Sequence, residues 1–213
     1  MVRKVSSNTA LRKVVQQVLN KQAETRSFIT AVTESTVNTL TSPTTSNEIT
    51  LNSLAVSTLQ GGRIGMKVTG KFCNVRGSIY NPTDLPIYVR LMLIYADESD
   101  APSNDLLETN NATFGAPSVD LASIYARVNT TKYKVLAHKV IKVGNTAGLQ
   151  NTQLFNMTLR LNNIAYHYEN VSAQTTPKKR LMFIYWARRS DNDESLGSNL
   201  EITWNSKFYY QDI

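Results

Sequence analysis

The stretch from Arg63 to Asp97 constrains the fold more than any other part of the chain. It consists of two long runs of strand-forming residues separated by one turn signal, Asn81-Pro82-Thr83-Asp84. Apolar side chains recur at every second position, as Cys73, Val75 and Ile79 in the first run and as Ile87, Val89, Leu91, Leu93 and Tyr95 in the second. This alternation predicts β-strands that each bury one face. Because proline has no N–H for a central ladder, the strands must break at Pro82. We therefore predict that this stretch is the central hairpin of an all-β domain.

The same kind of pattern continues through the rest of the chain. Strands are predicted at Ser27–Val37, within Glu48–Leu59, after Thr131, at Gln153–Leu161, at Ile164–Tyr168, at Arg180–Arg189 and at Leu200–Tyr210. The run Arg180–Arg189 contains seven consecutive apolar residues, 181–187, which predicts a strand buried on both faces. About eight strands with long loops predict an eight-stranded antiparallel jelly-roll sandwich.

The positive charge of the chain is concentrated at its beginning. Residues 1–26 contain one acid, Glu24, and six basic side chains, Arg3, Lys4, Arg12, Lys13, Lys21 and Arg26. This segment therefore carries +5 of the net charge of +7. A basic arm on a nearly neutral body favours a polyanionic partner, nucleic acid first, and these six side chains are its predicted contacts. We divide the chain into an arm, residues 1–26, and a shell domain, residues 27–213.

The arm also has the pattern of an amphipathic helix. Apolar residues recur at helical spacing, as Leu11, Val14, Val15, Val18 and Leu19, with basic and amide side chains on the other face. A helix with so narrow an apolar stripe is marginal alone in water and needs a partner. That partner is its own domain, a second copy of the chain, or a surface. The absence of aromatic residues disfavours a membrane surface, and we favour self-association with the basic face toward nucleic acid.

An acidic connection follows the second run. Asp97, Glu98 and Asp100 are weak candidates for calcium ligands, although their spacing does not match an EF-hand loop, and a solvated loop is the alternative. Long connections in compact β domains are typically functional or interfacial.

Basic residues also alternate after Thr131. Lys132, Lys134 and Lys142 are predicted to form a one-sided stripe with Leu136, His138 and Val140, facing nucleic acid or a neighbouring subunit, or simply solvent. Lys178, Lys179 and Arg180 have two interpretations as well, a weak nuclear-import signal or the basic start of a strand.

The motifs of common enzymes are missing. The sequence has no phosphate-binding glycine loop, no HExxH and no CxxC, and it has only two histidines, His138 and His167. The single cysteine, Cys73, excludes an intrachain disulfide and is expected to fill the core. No apolar run approaches the ~18 residues of a membrane helix, and no signal-peptide pattern is present. We therefore expect a soluble protein without catalytic activity, cofactor or membrane partner.

Four features together resemble a known family. They are the basic helix leading into Glu24, Arg26 and Phe28, the segment Gly61–Gly77 ending in Asn74-Val75-Arg76-Gly77, the strand Val89–Ala96 before an acidic loop, and Tyr133-Lys134-Val135-Leu136 with Lys139 and Val140. In this order they resemble the single-jelly-roll capsid proteins of small circular single-stranded DNA viruses. The chain is also similar to the coat protein of satellite tobacco necrosis virus. Many members of the DNA group have a denser arginine-rich beginning than this chain, which leaves the type of genome open.

The resemblance implies a structural role in a virion. It implies sixty copies in a T=1 icosahedral shell, basic arms directed inward to a single-stranded DNA or RNA genome, a host receptor that the sequence does not identify, and assembly inside the host cell, with the nucleus as one candidate compartment. Calcium at subunit interfaces is a further hypothesis. Two other classes remain as alternatives: a non-viral β-sandwich binding module of the lectin or ligand type, and a single-strand-binding protein. The latter requires aromatic side chains among the basic ones, and the arm has none.

Overall fold

Eight strands form two antiparallel four-stranded sheets in a computed structural model of the chain. The structure describes residues 11–12, 14–15, 25–38, 47–59, 61–83, 85–108, 114–115, 122–144, 151–169, 176–189 and 199–212. These strands are β1 (Thr25–Asn38), β2 (Glu48–Thr50), β3 (Lys67–Tyr80), β4 (Ile87–Asp97), β7 (Lys134–Val143), β8 (Thr152–His167), β9 (Lys179–Arg189) and β10 (Asn199–Asp212). The connection after β4 contains a short two-stranded ribbon, β5 (Leu107–Glu108) and β6 (Phe114–Gly115), and two single-turn helices, Pro102–Asp105 and Ala122–Tyr125.

The order of the strands is that of a jelly roll. The first sheet has the order β1-β10-β3-β8 and the second has the order β2-β9-β4-β7. Successive strands of the eight therefore lie in opposite sheets, except for β4 and β7, which are neighbours joined by the long connection. Two interleaved four-stranded sheets of this kind define the jelly-roll sandwich. The predicted fold class is confirmed.

The prediction of a hairpin between Arg63 and Asp97 is wrong. β3 pairs with β10 and β8, whereas β4 pairs with β9 and β7, so the two strands lie in different sheets. Both runs bury their alternating apolar side chains in the same core, but they approach it from opposite sides. The turn contains two prolines, Pro82 and Pro86, and a residue without an N–H cannot continue a ladder from one strand to the next. The turn is therefore a corner between sheets.

The main core lies between the two sheets. It contains the predicted apolar positions of β3, β4 and β10 together with a group of aromatic rings, Phe155, Tyr166, Phe183, Tyr185, Trp204, Phe208 and Tyr210. The hydroxyl groups of Tyr95 and Tyr166 lie 2.8 Å apart and join the two sheets by a buried hydrogen bond. Cys73 is also buried there, and burial raises the pKa of its thiol to about 12. It is a core residue, as predicted.

A second apolar cluster lies on the outer side of the second sheet. Met92, Ile94 and Trp186 of that sheet pack against Leu106, Leu107, Ile124 and Tyr133 of the connection between β4 and β7. The connection therefore covers this face of the sheet. This is why residues 181–188 of β9 are buried on both faces, as their composition predicts.

Two other boundaries differ from the predictions. The two strands predicted at Gln153–Leu161 and Ile164–Tyr168 are one long strand, β8, whose pairing with β3 is irregular where Asn162 and Asn163 adopt φ values of 48° and 60°. Asparagine tolerates this left-handed region better than most residues. The first strand begins at Thr25, two residues before the predicted start at Ser27. No helix in the described part of the chain is long and apolar enough to cross a membrane.

Candidate nucleic-acid and assembly surfaces

The described part of the arm that precedes β1 is helical and exposes its apolar side chains. Residues 11–12 and 14–15 have helical backbone, and Leu11, Val14 and Val15 are 65%, 55% and 50% exposed. Of the predicted nucleic-acid contacts, Arg12 lies in this helical segment, whereas Arg3, Lys4, Lys13 and Lys21 lie outside the described residues. The exposed apolar side chains are those that the predicted self-association would bury.

Arg26, the sixth predicted contact, belongs to the body of the domain. Its guanidinium lies 3.7 Å from the carboxylate of Asp212 and donates a hydrogen bond of 3.2 Å to the carbonyl of Gly62. The side chain is only 12% exposed. Arg26 therefore ties the beginning of β1 to the end of β10 and to the loop before β3.

The prediction of a one-sided basic stripe is wrong. The register between β4 and β7 shifts at Leu136, because Leu93 pairs with Ala137 while Ile94 pairs with Val135. A bulge of this kind moves every later side chain to the other face. Val135 and Val140 pack in the outer cluster, whereas Leu136 and Ile141 contact the main core. Lys134 and Lys142 consequently point to opposite sides of the sheet.

Lys132, the third residue of that stripe, lies before β7 and pairs with acids. Its ammonium is 2.6 Å from the carboxylate of Asp105 and 3.1 Å from that of Asp100. These two hydrogen bonds raise the pKa of Lys132. The hydroxyl of Tyr133 also donates to Asp105.

These contacts bear on the calcium hypothesis. The carboxylate of Asp100 is bonded to Lys132 and accepts the backbone N–H of Asp97 at 2.8 Å. Arg180 donates to the backbone carbonyls of Asp97 and Asp100. Among the described residues, which include Asp97, Glu98 and Asp100, no group of three acidic, histidine or cysteine side chains is arranged to hold a metal ion. The acidic loop is bound by basic side chains of its own chain.

His138 forms a polar contact on the outer side of the second sheet. The Nε of Arg90 donates a hydrogen bond of 3.0 Å to Nε2 of His138, and another guanidinium nitrogen donates to the carbonyl of Ala126 at 2.8 Å. The guanidinium also lies 5.1 Å from the ring of Trp186. Burial lowers the pKa of Arg90 to about 10. Burial and the charge of Arg90 lower the pKa of His138, so the imidazole is held neutral.

We expect His138 to make the domain less stable in mild acid. A pKa that is lower in the folded state means that the unfolded chain binds the proton more readily, so stability falls as the pH drops below the unfolded value of about 6.5. Replacing His138 by glutamine keeps an acceptor for Arg90 and removes the titration. Urea unfolding between about pH 7.5 and about pH 5 should therefore lose less stability in the His138→Gln variant than in the wild type. His167→Gln, at the exposed end of β8, is the control; equal losses in the His138 variant and the wild type would contradict the expectation.

The outer face of the first sheet is polar, basic and aromatic. Three rows of directly paired residues cross its four strands: Ser27-Tyr209-Phe72-Arg160, Ile29-Lys207-Asn74-Thr158 and Ala31-Asn205-Arg76-Asn156. None of the twelve side chains is buried and none is acidic. We call these twelve residues the row face. Their alternating neighbours, such as Phe28, Cys73 and Phe208, pack in the core.

Exposed apolar side chains are found at both ends of the sandwich. The loop between β2 and β3 exposes Val56, Leu59, Ile64 and Met66, by 38% to 76%. The opposite end exposes Tyr80, Leu85 and Leu154, by 37% to 78%. Clustered apolar side chains on a surface typically mark contacts with other molecules.

Reasoning from the sequence missed the row face entirely. Its aromatic and basic members, Phe72, Arg76, Arg160, Lys207 and Tyr209, come from three strands that are far apart in sequence. Alternation with the buried residues of each strand places all five of these side chains on the solvent side. Only the pairing register brings them into common rows.

The comparisons with known proteins found similarity to solved structures alone. No protein-family model matches this sequence, and no curated protein sequence matches it. A chain from Desmodium yellow mottle tymovirus has 11% identity and a TM-score of 0.43, over 89% of this chain and 88% of its own. A chain from mud crab tombus-like virus has 12% identity and a TM-score of 0.42, over 90% and 92%. A chain from the semi-empty virus-like particle of the nodavirus of the giant freshwater prawn Macrobrachium rosenbergii has 11% identity and a TM-score of 0.41, over 100% and 90%. The fold assignment rests on the strand order described above.

Proposed function

We propose that this chain is a viral coat protein that assembles into a T=1 shell of sixty copies and packages single-stranded nucleic acid through its basic arm. The observation that carries the proposal is the strand order, β1-β10-β3-β8 against β2-β9-β4-β7. Eight-stranded jelly rolls of two Greek keys serve as viral capsid domains, lectins and cupins. The arm and the exposed apolar ends favour the first of these three uses.

The histidines disfavour a cupin-type metal site. His138 lies on β7 in the second sheet with its Nε2 bonded to Arg90, and His167 ends β8 in the first sheet. A lectin would leave the arm, with +5 of the charge of +7, without a role. A coat protein uses this charge because contacts of lysine and arginine with phosphates bind nucleic acid without sequence preference.

The exposed apolar side chains support self-assembly. They lie at opposite ends of the sandwich, on the loop before β3 and around Leu154. A contact between two different patches on identical subunits is heterologous, and repetition of such a contact closes into a ring when the rotation permits it. Rings of this kind are the units of an icosahedral shell. The exposed apolar side chains of the arm helix supply a further contact between copies.

Particle assembly and packaging are tested together on the purified full chain. We expect closed shells of one size in negative-stain electron microscopy, with a protein mass of sixty times 23.8 kDa by native mass spectrometry. Replacing Arg3, Lys4, Arg12, Lys13 and Lys21 by glutamine removes five charges. The nucleic acid per particle, measured by absorbance at two wavelengths, should then fall severalfold. Nuclease digestion of the extracted nucleic acid identifies it as DNA or RNA.

The matched control keeps the charge of the arm. Arg3→Lys with Arg12→Lys should package as the wild type does, because exposed phosphate contacts depend mainly on charge. A chain that stays monomeric over all concentrations and salts would overturn the coat-protein proposal. Particles of the glutamine variant with an unchanged load of nucleic acid would overturn the role of the arm alone.

A further inference from the structure

The row face combines the two kinds of side chain that bind single-stranded nucleic acids. Phe72 and Tyr209 stack with their ring centroids 4.3 Å apart and their planes 8° from parallel. Arg160 is paired with Phe72 in the same row, and Lys207 lies two residues from Tyr209, with its ammonium 4.9 Å from the centre of that ring. Proteins that bind single strands without sequence preference place bases on aromatic rings beside a positively charged path for the phosphates.

The basic side chains are spread across the face. Arg160 lies on β8, Arg76 on β3 and Lys207 on β10, one in each of the three rows. Neighbouring strands are about 4.8 Å apart, and residues two apart in a strand are about 6.8 Å apart. The three cations therefore lie on three neighbouring strands, β10, β3 and β8, and none of the other nine residues is an acid. A phosphate chain crossing the sheet meets positive charge in each row.

The surface around these cations contains two open depressions. One depression, of about 510 Å³, lies beside Phe72 and is bordered by Arg160 and Lys71. Another, of about 590 Å³, is bordered by Phe72, Tyr209, Lys207 and Arg76. The two depressions share Phe72. Asn74, which borders the second depression and lies with its Nδ2 2.6 Å from Oδ1 of Asn156, supplies a polar group for base edges.

We infer that the row face is a second nucleic-acid site, which binds a single strand without sequence preference through stacking beside Phe72 and Tyr209 and through phosphate contacts with Arg76, Arg160 and Lys207. This inference rests on the proposed packaging function for its biological meaning, because it places part of the packaged strand on the shell domain itself. It differs from that function in the residues that bind and in the use of stacking. The positive charge and the stacked rings together favour a single-stranded nucleic acid as the ligand of this face.

The test uses the full chain with its five arm charges replaced by glutamine, kept below its assembly concentration as checked by light scattering. Binding of a fluorescein-labelled oligothymidylate of about 15 nucleotides is measured by anisotropy as salt is varied. In this background, Arg76→Gln, Arg160→Gln and Lys207→Gln together should weaken binding about tenfold or more. They should also reduce the slope of log affinity against log salt by about 2, since each contact with a single strand contributes about 0.7.

A charge-matched control separates this face from general electrostatics. Lys134→Gln, Lys142→Gln and Lys178→Gln remove the same charge from exposed positions in or beside the second sheet. This control should retain most of the affinity. Equal weakening in the two triple variants, or an unchanged salt slope in the row-face variant, would overturn the inference.

Stacking is tested separately, because cations alone would bind phosphates without it. Tyr209→Leu with Phe72→Leu should weaken binding about tenfold while leaving the salt slope unchanged. Tyr125→Leu, at a side chain that is 64% exposed and distant in the sequence, is the control. Far-ultraviolet circular dichroism and the urea midpoint establish that each variant is folded. A folded leucine variant with wild-type affinity would overturn the stacking contact.

The outcomes distinguish this inference from the proposed function. A chain that binds oligothymidylate through the row face but never forms shells would retain the second site and lose the coat-protein role. A chain that forms shells, and whose row-face variant binds and packages as the parent does, would retain the coat-protein role and lose the second site. Repeating the titration with oligouridylate shows whether the face distinguishes RNA from DNA.

Discussion

Valine in place of Gly77 should prevent the domain from folding stably. A Cβ atom at this position would lie 2.1 Å from the carbonyl oxygen of Thr203 and 2.7 Å from the Cβ of Trp204. The oxygen belongs to the backbone of β10, which pairs with β3 here in the centre of the first sheet. The clash therefore cannot be relieved by rotating a side chain, and the two strands must separate. We expect a loss of more than about 3 kcal/mol in the free energy of unfolding.

The measurement is the soluble yield of the variant and its midpoint of urea unfolding. Gly144, directly after β7, supplies the control, because a Cβ there would have no heavy atom within 4 Å. Neither glycine has a left-handed φ, so both substitutions test space alone. Gly144→Val should unfold close to the wild-type midpoint. A Gly77→Val protein with the same midpoint as Gly144→Val would show that the central ladder is looser than the structure indicates.

The strands themselves were predictable, because each buries one face in a common core. The alternating residues of β3, β4 and β10 are buried as their period of two requires. The partners of the strands were not predictable in the same way. A strand that alternates toward the core has the same pattern whether its neighbour along the chain lies in the same sheet or in the opposite one. The predicted hairpin at Asn81 failed for this reason.

The predicted basic stripe failed because of a local irregularity. One extra residue at Leu136 shifts the register, and the lysines on either side of it then face opposite ways. Nothing in the residue types around Leu136 marks the bulge. Lys132 was predicted to be part of the strand, but its ammonium is held by Asp100 and Asp105 of the connection that covers the second sheet.

The row face is a surface that the sequence did not predict at all. The absence of aromatic residues from the arm argued against a stacking mode of nucleic-acid binding. Phe72 and Tyr209 meet only because β10 lies beside β3 in the jelly-roll order, although 136 residues separate them in the sequence. A surface that is assembled from three distant strands becomes visible only when the register is known.

Asn81 has a structural role that its sequence context did not predict. Its sequence context, before Pro82, indicated only a turn, and the structure shows that the residue is fully buried. Its Nδ2 donates to the carbonyls of Leu85 at 2.8 Å and Val143 at 3.3 Å, and its Oδ1 accepts the backbone N–H of Thr83 at 2.9 Å. It therefore connects the end of β3 in the first sheet with the end of β7 in the second. The hydrogen bonds of this amide therefore link both sheets at the corner that replaces the predicted hairpin.

We accordingly expect Asn81→Leu to destabilise the domain by about 3 kcal/mol or more, although leucine is similar in size and more apolar. The substitution leaves the buried carbonyl of Val143 without this donor and the half-buried N–H of Thr83 without this acceptor, and an unpaired buried group costs about 1–3 kcal/mol. For a domain of this size, the melting temperature should fall by about 6–12 °C. Differential scanning calorimetry measures the shift, and Asn104→Leu, at an exposed position, should leave the melting temperature within about 2 °C. Equal melting temperatures for the two variants would mean that the prolines alone hold the corner between the sheets.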